Sequence, residues 1–456
     1  PLFAVLVSLF ISACVVDSDT PTPTPEKTGR ISSPPRRSCP KPESTSKPTP
    51  VPPPPVATEL HSISLSPEVV SATWVKKESH ARVVALTFTS GSKPVLWKGI
   101  TLSGQAKIAG SGCDFGTQCS HEAFATRVTS LAIYDGVTQV GYAKAPDPKT
   151  GKTHIPNVNV AFPSRVSKSF VVQATLSSSA SVAEPFDQIA IGIEALWEPV
   201  VLDLSGESIL GEVQPDIRNQ LSSAPTVVQT IRPSGELAIV DFAHPVSRIV
   251  VGGKVAWESV AQYKARAKYE ATQIDRLAVS LVTWLGVQAD PADFKVIAVA
   301  SEGFVKSQDV MPSTGLMDAD LSTNPITVPK DGDVLFQIWA KVAPVVASSV
   351  VSGATKGVCR SGHTPALMVD SDRTTGEWDS NYVGKLNARS TGMTSGERIY
   401  AAKGAKHGNP MVVRKSKPIV KMLPLSSTTL ANIDQDLIKF QIAADSAGSV
   451  AVKHVS

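Results

Sequence analysis

The chain has 456 residues, 44 Lys and Arg against 40 Asp and Glu, a net charge of +4, and 42% apolar against 18% charged residues. That length calls for two or three domains rather than one. The small, scattered charge, with no basic stripe interleaved with aromatics, argues against a nucleic-acid partner, and the recurrence of Val, Ser and Thr suits a β-rich fold with a hydroxylated surface.

The first element is the apolar run Leu2–Ala13, which closes as Ile11-Ser12-Ala13-Cys14. It is too short for a comfortable bilayer span and has the length of a signal-peptide h-region. The closing tetrad resembles the lipobox of bacterial lipoproteins. That resemblance implies that Ile11, Ser12 and Ala13 fit a signal peptidase and that Cys14 takes a diacylglyceryl group and becomes the first residue of the mature chain. It also implies a protein exported and held at the extracellular cell surface, with the membrane as its partner through the anchor. An ordinary signal peptide that happens to hold a Cys, or a buried N-terminal strand, is the alternative. Neither a Met nor a basic n-region precedes the run, so the sequence is expected to be truncated at its start.

Residues 15–57 are dominated by Pro, Thr and Ser, as in Thr20-Pro21-Thr22-Pro23 and Pro52-Pro53-Pro54-Pro55. Such a segment has too little apolar surface to offset its ordering entropy and is expected to be a disordered stalk biased toward polyproline II. Its Thr-Pro repeats are candidate O-glycan carriers.

An internal repeat organises the rest. Val83, Val260 and Leu437 are each 177 positions apart, and the same phase aligns Leu86, Tyr263 and Phe440, then Phe88, Ala265 and Ile442. Each run alternates as a half-buried strand, and each is followed by a second: Gly99–Leu102, Arg276–Leu281 and Ser449–Val452. Val227–Pro233 resembles Val412–Pro418 as a shared boundary, and Tyr134-Asp135-Gly136 matches Ser301-Glu302-Gly303 as a hairpin turn. Helical windows are few, with 215–221 a candidate short turn. The expected fold is all-β: tandem immunoglobulin-like antiparallel β-sandwiches, over 58–228 and 229–415, with a third begun at 416–456. Because the third stops early, the sequence is expected to be a fragment at its C-terminus, ending in a strand pair that lacks its partner sheet.

The core strand patterned on Ala261-Gln262-Tyr263-Lys264, followed by an Arg/Lys-Pro linker, resembles the large multidomain surface proteins of uncultivated, small-genome candidate-phylum bacteria. The resemblance spans Thr58 onward. It implies a structural or adhesive cell-surface role and carries no catalytic residues.

Local chemistry is sparse. Cys113 and Cys119 flank a Gly-containing loop where the first repeat is longer than the second, and a disulfide between them suits an oxidising compartment. A metal site of these two with His121 would lack a fourth ligand. Cys39 and Cys359 have no evident partner. Asp370, Asp372, Glu377 and Asp379 crowd one segment as a weak calcium candidate, although Arg373 intrudes and the spacing is not that of an EF-hand. No nucleophile elbow, Walker loop or zinc-protease motif is present, so catalysis is not expected, and no cofactor beyond the lipid and that calcium candidate. Three functions remain. The first is a lipid-anchored structural or adhesive protein that contacts a surface glycan, a protein or its own copies. The second is a glycan-binding lipoprotein using Trp97, Trp197, Trp284, Trp339 or Trp378 as a stacking platform, although most of these are expected to fill cores and Trp378, among charged neighbours, to be the most exposed. The third is a non-catalytic accessory region of a larger exported enzyme.

Overall fold

The computed structural model describes residues 62–115, 119–193, 200–203, 208–209, 212–213, 227–282, 289–346, 359–369, 388–401, 407–425, 429 and 436–452. The chain divides between Val56 and Ala57, and all the described residues belong to the second unit. The expectations for the lipobox at Ile11–Cys14, the stalk with Cys39, the helical turn 215–221, and the carboxylates Asp370, Asp372, Glu377 and Asp379 fall outside the described residues.

Two β-sandwiches follow one another. In the first, one sheet runs in the order Glu212–Val213, Ser62–Ser66, Ala81–Thr89, Ser167–Leu176, Val128–Asp135, Thr138–Ala143. The facing sheet runs Ser208–Ile209, Val200–Asp203, Val95–Lys107, Asp187–Ile193, Gln229–Arg232, Thr73–Val75, with Lys152–Phe162 also paired to Val95–Lys107. Between them Phe88 and Phe162 stack at 4.3 Å between centroids, and Trp97 meets Phe170 edge-on at 5.1 Å. Each such buried ring contributes roughly 1.5–3 kcal/mol through the water it leaves.

The second sandwich repeats this plan. Its first sheet runs Glu236–Asp241, Glu258–Lys268, Asp333–Val342, Phe294–Ser301, Phe304–Asp309. In the facing sheet Thr272–Leu281 pairs with Leu316–Asp320, Ile326–Val328, Leu367–Val369 and Ala388–Gly392. The strands at Ala81 and Val95 recur at Glu258 and Thr272, each 177 positions on, whereas Val128 recurs at Phe294 after 166. The first sandwich thus carries an insertion before Val128. Bulges interrupt the two equivalent strands at the same repeat position, where Val83 and Val260 are the extra residues. Each therefore turns into the core out of strict alternation.

The structure departs from the expected plan at several points. The sandwiches are not purely antiparallel: Thr73–Val75 runs parallel to Gln229–Arg232, and Ile249–Val251 parallel to Val412–Arg414. Gln229–Arg232 therefore belongs to the first sandwich and not to the second, and the boundary lies at the Pro233–Gly235 linker. A one-residue shift separates the two aligned hairpins. Asp135↔Thr138 closes over Gly136-Val137, with only Gly136 at positive φ, while Ser301↔Phe304 closes over Glu302-Gly303, both at positive φ. The two copies thus build one hairpin from different turn types.

A helix, His121–Arg127, lies in the insertion, where none was expected. Ser120 caps it by accepting from the Ala123 N–H at 3.0 Å. Phe124 packs on Gly104, where a Cβ would stand 2.2 Å from the ring, so only glycine admits this helix onto the sheet.

Past the second sandwich, Pro418–Met422 pairs with Phe440–Ala444 as a two-stranded ribbon, matching in register the first hairpin of the second sandwich. Ser449–Val452, expected as a strand, forms none, because no second sheet is present among the described residues for it to join. Phe440 is 36% exposed where its repeat equivalents Leu86 and Tyr263 are fully buried.

Candidate functional site

Three places combine unusual chemistry with defined geometry. The first is the joint between the sandwiches, which the linker Pro233-Ser234-Gly235 enters directly from the strand Gln229–Arg232. The guanidinium of Arg232 lies 4.2 Å from the Phe186 ring of the first sandwich and 4.9 Å from the Tyr269 ring of the second, and pairs with Glu236 at 2.7 Å. The turn after Thr73–Val75 supplies Lys76, paired with Glu397 at 2.5 Å, and Lys77, which donates to the Ser395 carbonyl at 2.7 Å. Lys330 returns the contact, 3.4 Å from Glu78 and 4.8 Å over the Trp74 ring. Beneath this, the fully buried Glu270 accepts from the backbone N–H groups of Gly235, Thr394 and Ser395 and from the Ser395 hydroxyl, at 2.6–3.0 Å. One carboxylate thereby ties the linker to the turn that Lys76 and Lys77 grip. The ion pairs are partly exposed and individually worth little. The aromatic clamp on Arg232 and the buried carboxylate do more.

The same joint begins again after the second sandwich. Lys76 N–H donates to the Arg232 carbonyl at 2.9 Å, and Gly252 N–H, 176 positions on, donates to the Arg414 carbonyl at 3.0 Å. Lys254 in that turn reaches Asp445 of the terminal ribbon at 2.7 Å, and its ammonium holds the Asp445 carboxyl below the usual carboxylate range.

The second place is the insertion. Cys113 and Cys119 are joined by a disulfide with Cα atoms 5.1 Å apart, so neither sulfur is a thiolate for a metal. Beside it an open hollow of about 680 Å³ is lined by Cys119, Ser120, His121, Glu122, Pro148 and Lys149. His121 donates Nδ1–H to the Gly104 carbonyl at 2.7 Å, and Asp147, held below its usual range first by the Thr150 N–H, folds the opposite wall. For so short a closed loop, reduction should cost only about 2 kcal/mol. A reduced sample should therefore show a slightly lowered unfolding midpoint and an intact fold by circular dichroism.

The third place is the outer face of the second sandwich's Glu258–Lys268 sheet. Trp339 is half-buried there, 6.5 Å from Trp257 between ring centroids. Its Nε1–H donates to Gln337 Oε1 at 2.6 Å, and Lys341 Nζ stands 4.6 Å over the Trp257 ring. Of the Trp residues weighed as a platform against a core role, Trp97 is core, fully buried with Nε1–H bonded to the Gly99 carbonyl. Trp197, Trp284 and Trp378 lie outside the described residues. Trp257 was missed, although its position immediately before the bulged strand Glu258–Lys268 marks it as the neighbour of that strand's outer row.

No protein-family model matches the chain, and no curated protein does. Among solved structures, the chain is similar to the Clostridium thermocellum CbhA fibronectin(III)-like modules at 7% identity over 75% of this chain and 94% of that one, with a TM-score of 0.12. A structure of manganese lipoxygenase of Gaeumannomyces graminis with part of zonadhesin of Komagataella pastoris is similar at 10% identity over 78% and 99%, with a TM-score of 0.15. At those scores the backbones do not superpose as wholes, and the sandwich assignment stands on the strand pairing above. Among the described residues, no group of three His, Cys, Asp or Glu side chains converges on a metal position.

Proposed function

We propose that this chain is a lipid-anchored cell-surface protein, structural or adhesive, that holds β-sandwiches away from the membrane on a Pro/Thr-rich stalk. The observation that carries this reading is the repeated joint. The turn after Val75 grips the next sandwich through Lys76 and Lys77, and the turn after Val251 reaches the terminal ribbon through Lys254. A protein whose work was done in one pocket has no use for a joint rebuilt at each repeat, whereas a spacer or a multi-contact adhesin does. The tetrad Ile11–Cys14 supplies the anchor in this reading and residues 15–57 the spacer.

Expressed in a bacterial host behind an added Met and basic n-region, the chain should incorporate an alkyne-labelled fatty acid and pellet with membranes. The Cys14→Ser variant should do neither. Equal labelling of both forms, or a wild-type chain found wholly in the soluble fraction, would remove the anchor and with it this assignment.

A further inference from the structure

The geometry points to a binding site for a carboxylate-bearing polysaccharide on the outer face of the second sandwich, centred on Trp257 and Trp339. This deepens the adhesive reading by naming the chemistry of what is held.

The two sandwiches share strand order and register, so each position on this face has a counterpart in the first. Trp339 corresponds to Gln173 and Trp257 to His80, which meet there through a 3.2 Å contact between His80 Nδ1 and Gln173 Oε1. At one end of that first face Thr87 stands against Ser169 at 3.1 Å and Thr89 against Ser167 at 2.9 Å, while Ala85 and Val171 pack there with Val69. The fold thus closes without any aromatic at these places, and packing does not explain the pair.

Three features suit a sugar chain. Trp339 stands between Ser259 and Ala298 in its cross-strand row, small neighbours that leave its ring standing above the sheet. Gln262 and Gln337 are paired in the adjoining row, and Gln308 stands beyond Ala298. Gln262 and Gln308 offer both amide donors and acceptors beside the rings, and Gln337, whose Oε1 holds the Trp339 N–H, keeps its NH2 as a donor, matching sugar hydroxyls around an apolar CH face. Charge selects the class of sugar. On the same face the cations Lys264, Arg266, Lys268 and Lys341 outnumber the carboxylates Asp333 and Glu236; Asp333 lies 3.2 Å from Lys264 and 3.8 Å from Arg266, and Glu236 stands opposite Lys268. Lys341 makes no ion pair among the described residues and lies directly above the Trp257 ring. A carboxylate on a saccharide stacked across the pair would take the place Lys341 leaves open, whereas a neutral glycan would not use it.

The test is calorimetric titration of the whole chain with oligogalacturonate and with malto-oligosaccharide, alongside W339Q, W257H and K341T, each carrying the residue that the first sandwich has at that position. The acidic oligosaccharide should bind, and either Trp change should weaken it on the order of 10-fold, about 1.4 kcal/mol. K341T should weaken it and flatten its salt dependence, while the neutral sugar should not bind. Unchanged unfolding midpoints in the variants are expected, because the same scaffold already accommodates these residues. Silence toward oligogalacturonate, equal affinity for the neutral sugar, or Trp variants that bind like wild type would each overturn the site. So would a wild-type chain that dimerises in sedimentation while W339Q does not, which would assign the face to a second copy. None of these outcomes touches Cys14, so loss of the glycan site and loss of the anchor are read separately.

Discussion

Replacing Glu270 by alanine should destabilise the second sandwich by about 3–5 kcal/mol, the cost of stranding several buried donors at once. Glu270 is fully buried and accepts four hydrogen bonds, three of them from backbone N–H groups. Glutamine keeps one carbonyl oxygen but introduces an NH2 facing donors, so E270Q should lose about half as much. The cavity offers no relief. A Cβ on Gly392 would stand 2.4 Å from Glu270 Oε1 and one on Gly235 2.7 Å from its Cγ, so both glycines are cut to the carboxylate. Urea unfolding of wild type and E270A gives the number directly. A loss below about 1 kcal/mol would mean that the turn at Thr394 re-forms around water. Because Lys77 holds the Ser395 carbonyl, the same variant should raise hydrogen exchange in the Lys76–Glu78 turn of the other sandwich.

The second large effect is expected at Asp187, at the start of the strand Asp187–Ile193 in the first sandwich. Its fully buried carboxylate accepts from Ala109 N–H, Ser181 N–H, the Ser181 hydroxyl and Arg127 Nε–H, at 2.5–3.0 Å. Burial alone would raise its pKa; the bonds from Ser181, Ala109 and Arg127 outweigh it and hold the carboxyl below the usual range. Asp187→Ala leaves Arg127 and two N–H groups without their acceptor and should cost about 3 kcal/mol at neutral pH. The sign of its pH dependence follows from the depressed pKa. The contribution is complete above the unfolded value of about 3.9 and is lost as pH falls through the folded value. Wild type and D187A should therefore converge in stability only in acid, and a constant difference down to the lowest pH would contradict the assignment.

The repeat puts a mirror of this pair in the second sandwich. Arg127 and Asp187 correspond to Asp293 and His363, where the carboxylate now comes from the first partner and lies 2.9 Å from His363 Nδ1. One structural position is thus filled twice with opposite polarity, which pairwise sequence comparison reads as two unrelated substitutions.

That mirror shows why part of this protein was legible and part was not. The strands with apolar side chains at period two were readable, because burial on one face imposes that period whatever the partner strand is. The 177-residue spacing held through the first two core strands for the same reason. Even the bulge left a trace in the spacing of three between Val83 and Leu86, in a run that otherwise alternates. The helix His121–Arg127 left little, since seven residues carry almost no periodicity and its place depends on Gly104 opening the sheet beneath Phe124. The disulfide could be expected from two Cys closing a short loop.

By itself, the sequence determined the all-β class, the repeat and the alternation that builds each core, because those follow from local patterning and burial. Only the tertiary structure decided which strand ends which sandwich. Gln229–Arg232 joins the first through hydrogen bonds to Asp187–Ile193 and Thr73–Val75, partners far away in sequence. It likewise decided that Trp97 is core while Trp257 and Trp339 share an outer face. Whether a tryptophan packs inward or faces solvent depends on register against neighbouring strands, and register is a property of the sheet.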